Sequence, residues 1–130
     1  MSGTGARDAI AVLCPHPDDE AIFCGGTIRA LADAGHRVVI IAATSGDTAE
    51  GEPSPALRDL RRRELEAAGD ILGAAAVHHL GFVDSGIGPV SPPGSFVRVP
   101  VEQAAAELAA ILDAEGVGSL VADGPEGIYG

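Results

Sequence analysis

The sequence predicts an α/β fold in which a mostly parallel sheet lies between two layers of helices. Four apolar runs of strand length alternate with three longer segments whose apolar residues recur at helical spacing. Unbroken apolar runs are typical of strands that are buried on both faces of a parallel sheet. Strands that alternate with helices need right-handed crossovers, and these produce parallel pairing. We therefore expect a single domain over residues 1–130 without repeats or an internal boundary.

Glycines, prolines and polar loops mark where the predicted elements begin and end. Gly35 and Gly73 each follow a helical segment and are placed to cap it. Residues 44–55 and 81–100 are predicted loops, and loops as long as the second are often functional. The arrangement is that of a Rossmann-like three-layer fold. In chain order we predict strand 9–14, helix 20–34, strand 38–43, helix 57–72, strand 75–80, helix 101–113 and strand 117–122.

The apolar residues of the three helices are expected to face the sheet. Cys14 and Cys24 are too few for a disulfide framework, so we expect both to be small buried residues. The predicted inner faces are Ile22, Gly25, Ile28, Leu31 and Ala32 in the first helix, Leu57, Leu60, Leu65, Ala68, Ile71 and Leu72 in the second, and Val101, Ala105, Leu108, Ile111 and Leu112 in the third.

The composition restricts the class of partner. The formal net charge is −11, which disfavours nucleic acid and anionic membranes because both are bound by clustered Lys and Arg. No apolar stretch reaches the ~18 residues of a membrane span. Residues 1–8 are small and polar and lack the apolar core of a signal peptide, so we expect a short disordered leader on a cytoplasmic protein. The composition leaves the oligomeric state open.

The turn after the first strand carries a dense set of ionisable side chains. His16, Asp18 and Asp19 lie there, at the strand end where open α/β sheets bind ligands. Pro15 and Pro17 stiffen the turn by fixing their own φ angles. Zinc accepts both imidazole and carboxylate ligands. Adjacent carboxylates on a sharp turn point in different directions, so one can bind a metal while the other serves as a general base.

Other interpretations of these residues remain open. Aspartate is a good helix N-cap, so the same turn could be an ordinary capped helix start. It could also bind a metal without catalysis. A nucleotide-binding module is disfavoured because no Gly-x-Gly-x-x-Gly follows the first strand. Asp47 and Asp84 follow the second and third strands and either contact substrate or are solvated loop residues. His78 or His79 could complete a zinc site, but the two alternate along the third strand, so at most one could face a given site, and we expect packing roles for them.

Several segments together resemble one known family, the PIG-L or LmbE-like deacetylases. The most specific is Pro15-His16-Pro17-Asp18-Asp19-Glu20 followed by Gly25-Gly26-Thr27. The resemblance runs in order along nearly the whole chain. The other matching segments are Thr44-Ser45-Gly46-Asp47, with Asp where the family usually has Glu, then Arg61 with Glu64, then Leu80-Gly81-Phe82 with Asp84-Ser85-Gly86, and finally Asp123 with Gly127-Ile128-Tyr129-Gly130.

The resemblance implies a zinc-dependent hydrolase that removes an acyl group from an amino sugar or a related amide. The family includes N-acetylglucosaminyl-phosphatidylinositol deacetylases and mycothiol-type enzymes. It implies that zinc is the cofactor, with His16 and Asp19 as two of its ligands. Asp18 would be the general base and Tyr129 would polarise the amide or stabilise the oxyanion. The expected substrate contacts are Asp47, Arg61 and Asp84.

The family's third zinc ligand belongs to a His-Pro-Asp-His segment that follows its Tyr-Gly pair. The sequence ends at Gly130, ahead of that segment. We therefore expect an incomplete domain that holds the N-terminal part of the fold. On this view the 130-residue chain is a poor zinc binder and is itself inactive.

Overall fold

Four parallel strands form one sheet in the computed structural model, which describes residues 7–48 and 51–127. The strands are β1 (Ala9–Cys14), β2 (Val38–Thr44), β3 (Ala76–Phe82) and β4 (Val117–Val121). Their order across the sheet is β3-β2-β1-β4. The helices are α1 (Asp19–Asp33), α2 (Pro55–Leu72) and α3 (Val101–Glu115), with a short 3₁₀ turn at Phe96–Arg98. The predicted alternation and parallel pairing are confirmed.

The sheet has a separate apolar core on each face. On one face, Ile28 of α1 and Leu65 of α2 pack against Val12 and Ile40. On the other face, the apolar side of α3 packs against Ala9, Ala11, Val39, Ile41 and Val117 through Leu108, Ile111 and Leu112. The three-layer prediction is therefore confirmed. All seven residues of β2 are buried, as its unbroken apolar run predicts.

The helices bury fewer residues than their apolar stripes predict. Ile28 is fully buried in α1 and Leu65 nearly so in α2. A helix that lies on a sheet touches it along a narrow line, so apolar residues one position off that line face outward. The predictions of inward-facing side chains were wrong for Ile22, Leu60, Ile71, Val101 and Ala105, which are all exposed. Cys14 is buried as predicted, whereas Cys24 is only half-buried.

A glycine sets the spacing between α2 and the sheet. Gly69 is buried, and a Cβ built on it would lie only 2.6 Å from Cγ2 of Val77 in β3. A side chain there would therefore push the helix away from the strand. No pattern in the sequence around Gly69 predicts this close approach. The predicted cap at Gly73 is confirmed, since this residue has φ of 82° and ends α2.

The two edges of the described sheet differ in what surrounds them. β3 is one edge and β4 the other. Leu120 and Val121 on β4 are exposed to 45% and 40%, whereas Val117 is buried.

Of the expected leader, residues 1–6 lie outside the described residues, and Arg7 pairs with Asp113 at 2.8 Å. Among the helices that the structure describes, none has the length and apolarity needed to cross a membrane.

Candidate active site

Three segments meet at the carboxyl edge of the sheet and are joined by hydrogen bonds. The main-chain oxygen of Pro15, after β1, accepts from the backbone N–H of Thr44 at 2.9 Å and from its hydroxyl at 2.8 Å. The backbone N–H of Ser45, after β2, donates to the carbonyl of Phe82 at 2.9 Å. The ends of β1, β2 and β3 are therefore held together, as the parallel order of neighbouring strands requires.

His16 lies between two carboxylates. Its Nδ1 is 3.3 Å from Oδ2 of Asp19, and its Nε2 is 3.2 Å from Oδ1 of Asp84. The backbone N–H of His16 also donates to Oδ2 of Asp19 at 3.0 Å. The structure therefore brings together three residues that the sequence analysis selected from two distant segments.

The carboxylates around His16 change its electrostatics and are changed by it. The hydrogen bond with Asp84 is the main cause of a raised pKa at His16. The same bond is the main cause that lowers the pKa of Asp84 to about 2, with further hydrogen bonds from Thr48 and Gly86. Burial raises the pKa of Asp19. The site thus contains carboxylates in different electrostatic settings within a few ångströms of one imidazole.

Asp18 and Asp19 point to different partners, although they are adjacent in sequence. Asp19 faces His16, whereas Oδ2 of Asp18 accepts from Nη2 of Arg61 at 3.0 Å. The same Nη2 also donates to the carbonyl of Pro17 at 2.7 Å. Gly46 makes room for this arginine, because a Cβ there would lie 3.0 Å from Nε of Arg61. Arg61 therefore fixes the turn that carries Asp18 through these two hydrogen bonds.

Asp47 lies beneath this site with its side chain fully buried. Its Oδ1 accepts from the backbone N–H of Asp84 at 3.1 Å. Its Oδ2 is 3.4 Å from Nη2 of Arg58 in α2. A direct substrate contact by Asp47 stays a prediction, and in this structure the side chain has no solvent-exposed surface.

A pocket of about 420 Å³ opens beside His16. Its walls come from the turn after β1, the loop after β2 and the loop after β3, with the ring of Phe96 as an apolar side. Of the predicted site residues, His16 and Asp84 line it. Tyr129 lies outside the described residues. The lining residues are Pro15, His16, Thr44, Thr48, Asp84, Ser85, Gly86, Ile87 and Phe96.

The donor pair of His16 and Asp19 suits a zinc ion. Two donors on one tetrahedral zinc, each about 2.0–2.1 Å from the metal, lie about 3.3 Å apart. Nδ1 of His16 and Oδ2 of Asp19 have this separation. Over residues 7–48 and 51–127, no three His, Cys, Asp or Glu side chains are grouped so that they could hold a metal ion. The described residues therefore offer a fitting pair of donors and no complete set.

Two residues at the site were missed from the sequence. Thr48 donates to Oδ2 of Asp84 at 2.8 Å, and Arg58 pairs with Asp47. Nothing in a polar loop distinguishes Thr48 beforehand. Arg58 precedes Arg61 by three positions, so helical spacing could have placed both arginines on one face of α2.

The two strand histidines lie away from the site. Nε2 of His78 is 3.0 Å from Oε1 of Glu115, at the end of α3. Nε2 of His79 is 3.5 Å from Oε1 of Glu66 in α2. These partners belong to helices on opposite faces of the sheet, as strand alternation predicts.

Comparison with known proteins points to one family. The family model described as PIG-L, GlcNAc-PI de-N-acetylase, matches residues 11–122. A diacetylchitobiose deacetylase of Thermococcus kodakarensis is 46% identical over 84 residues, which are 61% of this chain and 32% of that protein. A 1D-myo-inositol 2-acetamido-2-deoxy-alpha-D-glucopyranoside deacetylase of Catenulispora acidiphila is 36% identical, and the match covers 99% of this chain and 48% of that protein.

Solved structures agree with the sequence comparison. The N,N'-diacetylchitobiose deacetylase from Pyrococcus horikoshii, complexed with its inhibitor MPG, superposes with a TM-score of 0.72 at 26% identity. The superposition covers 94% of this chain and 43% of that one. The chain thus spans between about a third and a half of the length of these relatives.

Proposed function

Because the chain belongs to the PIG-L family of GlcNAc-PI de-N-acetylases, we propose that it carries part of the active site of a zinc-dependent N-deacetylase. The substrate would be an N-acetylated amino sugar or a related small amide, the kind of compound named for its relatives. The observation that carries the proposal is the donor pair of His16 and Asp19, whose donor atoms lie 3.3 Å apart, with His16 lining a ligand-sized pocket.

His16 and Asp19 would hold the zinc ion, and a catalytic zinc usually takes three protein ligands. When bound, zinc would supply Lewis-acid polarisation of the amide carbonyl and activation of water. Pro15 and Pro17 restrict the backbone freedom of the turn that carries the donors. Asp19 accepts from the backbone N–H of His16, and this hydrogen bond orients its carboxylate.

Asp18 would move the proton. Arg61 holds Oδ2 of Asp18, so Oδ1 would take a proton from the attacking water and later return it to the leaving amine nitrogen. Half of the Asp18 side chain is exposed, which leaves it accessible to water, whereas Arg61 is mostly buried. Arg61 therefore supports the proposal as a residue that positions the base. The role of Tyr129 at the amide carbonyl stays a prediction, as does a cytoplasmic location.

Two measurements on the protein as its gene encodes it test this proposal. Elemental analysis gives the zinc stoichiometry, and an acetate assay follows hydrolysis of N-acetylglucosamine and of N,N'-diacetylchitobiose. We expect His16→Ala and Asp19→Ala to lose zinc. His36→Ala is the matched control, because His36 is an exposed turn residue remote from the motif, and it should keep zinc.

The possible outcomes separate the interpretations. Unchanged zinc content in both ligand variants would refute the assignment of His16 and Asp19. Zinc binding without acetate release from any N-acetyl sugar would instead indicate a metal-binding domain without catalysis. Loss of both zinc and acetate release in the ligand variants, with both retained in His36→Ala, is the result we expect.

A further inference from the structure

We propose that Asp84 orients the His16 ring for the metal and that buried Asp47 holds Asp84 in position. The metal part of this proposal rests on the proposed function, whereas the positioning part concerns contacts that the structure itself shows. It gives Asp84 and Asp47 roles as positioning residues, and a direct substrate contact by either stays a prediction. Two links carry it, one from Asp47 to Asp84 and one from Asp84 to His16.

The contact between Asp84 and His16 selects a tautomer of the imidazole. Oδ1 of Asp84 is 3.2 Å from Nε2 of His16, so this carboxylate favours a proton on Nε2, whereas the Asp19 carboxylate beside Nδ1 competes for the proton until that nitrogen binds a metal. A neutral ring protonated at Nε2 has its lone pair on Nδ1. That nitrogen is the one 3.3 Å from Oδ2 of Asp19. A carboxylate behind a metal-binding histidine commonly fixes ring orientation and tautomer in this way.

Asp84 is itself held at both carboxylate oxygens and at its backbone. The Thr48 hydroxyl donates to Oδ2 at 2.8 Å, and the backbone N–H of Gly86 donates to Oδ1 at 3.2 Å. The backbone N–H of Asp84 donates to Oδ1 of Asp47 at 3.1 Å. The side chain of Asp84 is only 14% exposed. These contacts leave the carboxylate little freedom to turn away from His16.

Asp47 connects three segments from a fully buried position. Its Oδ1 binds the loop after β3 through Asp84, and its Oδ2 pairs with Arg58 of α2. Its own carbonyl accepts from the backbone N–H of Ser54, the residue that caps α2, at 2.9 Å. Because no part of the Asp47 side chain reaches solvent here, its influence on the pocket passes through Asp84.

The first test uses the metal-free protein. Long-range ¹H–¹⁵N NMR, recorded at a pH at which the spectrum shows the His16 ring to be neutral, reports which of its nitrogens carries the proton. We expect Nε2–H in the parent and a shift toward Nδ1–H in Asp84→Ala, because only the Asp19 carboxylate then remains beside the ring. Amide exchange at Asp84 should be slow in the parent and in Asp47→Asn, whose side-chain oxygen still accepts, and fast in Asp47→Ala.

The second test measures zinc affinity by competition with a chelator. Loss of a carboxylate behind a metal-binding histidine typically costs ~10–100-fold in affinity. We expect that loss in Asp84→Ala and a smaller one in Asp47→Ala, with rescue in Asp47→Asn. Asp113→Asn is the matched control, because Asp113 is an exposed residue that pairs with Arg7 far from the site.

The outcomes distinguish the positioning proposal from the proposed function. An unchanged His16 tautomer in Asp84→Ala, or unchanged zinc affinity in a folded Asp84→Ala protein, would overturn the positioning role. If the parent binds no zinc at all, the proposed function fails, and the tautomer and amide exchange still decide the positioning role. Should Asp47→Ala not fold, Asp47→Ser takes its place, because the shorter serine side chain does not reach the backbone N–H of Asp84; slow exchange at Asp84 in Asp47→Ser would overturn the role of Asp47.

Discussion

Alanine at Gly69 should destabilise the protein, whereas alanine at Gly26 should stabilise it. Both glycines lie inside helices, Gly69 in α2 and Gly26 in α1. A Cβ at Gly69 would lie 2.6 Å from Cγ2 of Val77, about 1 Å closer than two carbon atoms normally approach. A Cβ at exposed Gly26 would have no atom within 4 Å. The two substitutions therefore share a backbone effect and differ in steric cost.

The expected changes in the free energy of unfolding follow from the backbone effect and the steric cost. Replacing glycine by alanine in a helix contributes ~1 kcal/mol of stability. Overpacking a filled core costs ~1–3 kcal/mol. Gly26→Ala should therefore gain about 1 kcal/mol in the free energy of unfolding. Gly69→Ala should fall below Gly26→Ala by the steric cost alone, ~1–3 kcal/mol.

Urea denaturation followed by circular dichroism measures both variants against the parent. Equal slopes with urea concentration are needed for the comparison, since a changed slope indicates a changed unfolding transition. If Gly69→Ala were as stable as Gly26→Ala, α2 would not approach β3 as closely as described here. Arg61 of α2 donates to Asp18, so an outward shift of the helix in Gly69→Ala would weaken this hydrogen bond. Gly69→Ala should therefore also lower turnover in the protein as its gene encodes it.

Three further predictions concern single side chains. In the protein as its gene encodes it, Asp18→Asn should keep zinc and lose ~10²–10⁴-fold in turnover, because asparagine cannot act as a base; turnover within a few-fold of the parent would contradict this role. Arg61→Lys should lower kcat ~10-fold or more through loss of a charged hydrogen bond to Asp18, whereas Arg63→Lys, in the same basic run, should not. Hydrogen bonds from Arg37 and, to a smaller extent, from His78 lower the pKa of Glu115. The ionised Glu115 carboxylate therefore stabilises the fold above the ordinary glutamate pKa of about 4.3, and the stability lost in Glu115→Gln should shrink as the pH falls below that value. A stability loss that is independent of pH would refute the ion pair between Glu115 and Arg37.

Local pattern was sufficient for the elements and for the first motif. The apolar run of β1, the caps at Gly35 and Gly73 and the prolines around His16 act over a few residues, so they can be read directly from the chain. The alternation of strands and helices then restricts the sheet to parallel pairing. For the same reason the carboxyl-edge position of His16, Asp47 and Asp84 follows from the order of the elements.

Tertiary structure decided which of these residues touch. Asp84 lies 68 positions after His16, and only the placement of β2 between β1 and β3 brings its loop to the imidazole. Packing between distant segments also decides three other features. They are the burial of Asp47, the hydrogen bond from Arg61 to Asp18 and the close approach of α2 to β3 at Gly69. Periodicity tells which helix face is apolar, and it cannot tell how much of that face the sheet covers, so Ile71 and Val101 were expected inside and lie exposed. Contacts between distant segments depend on the shapes of both partners, and no local pattern in the chain records them.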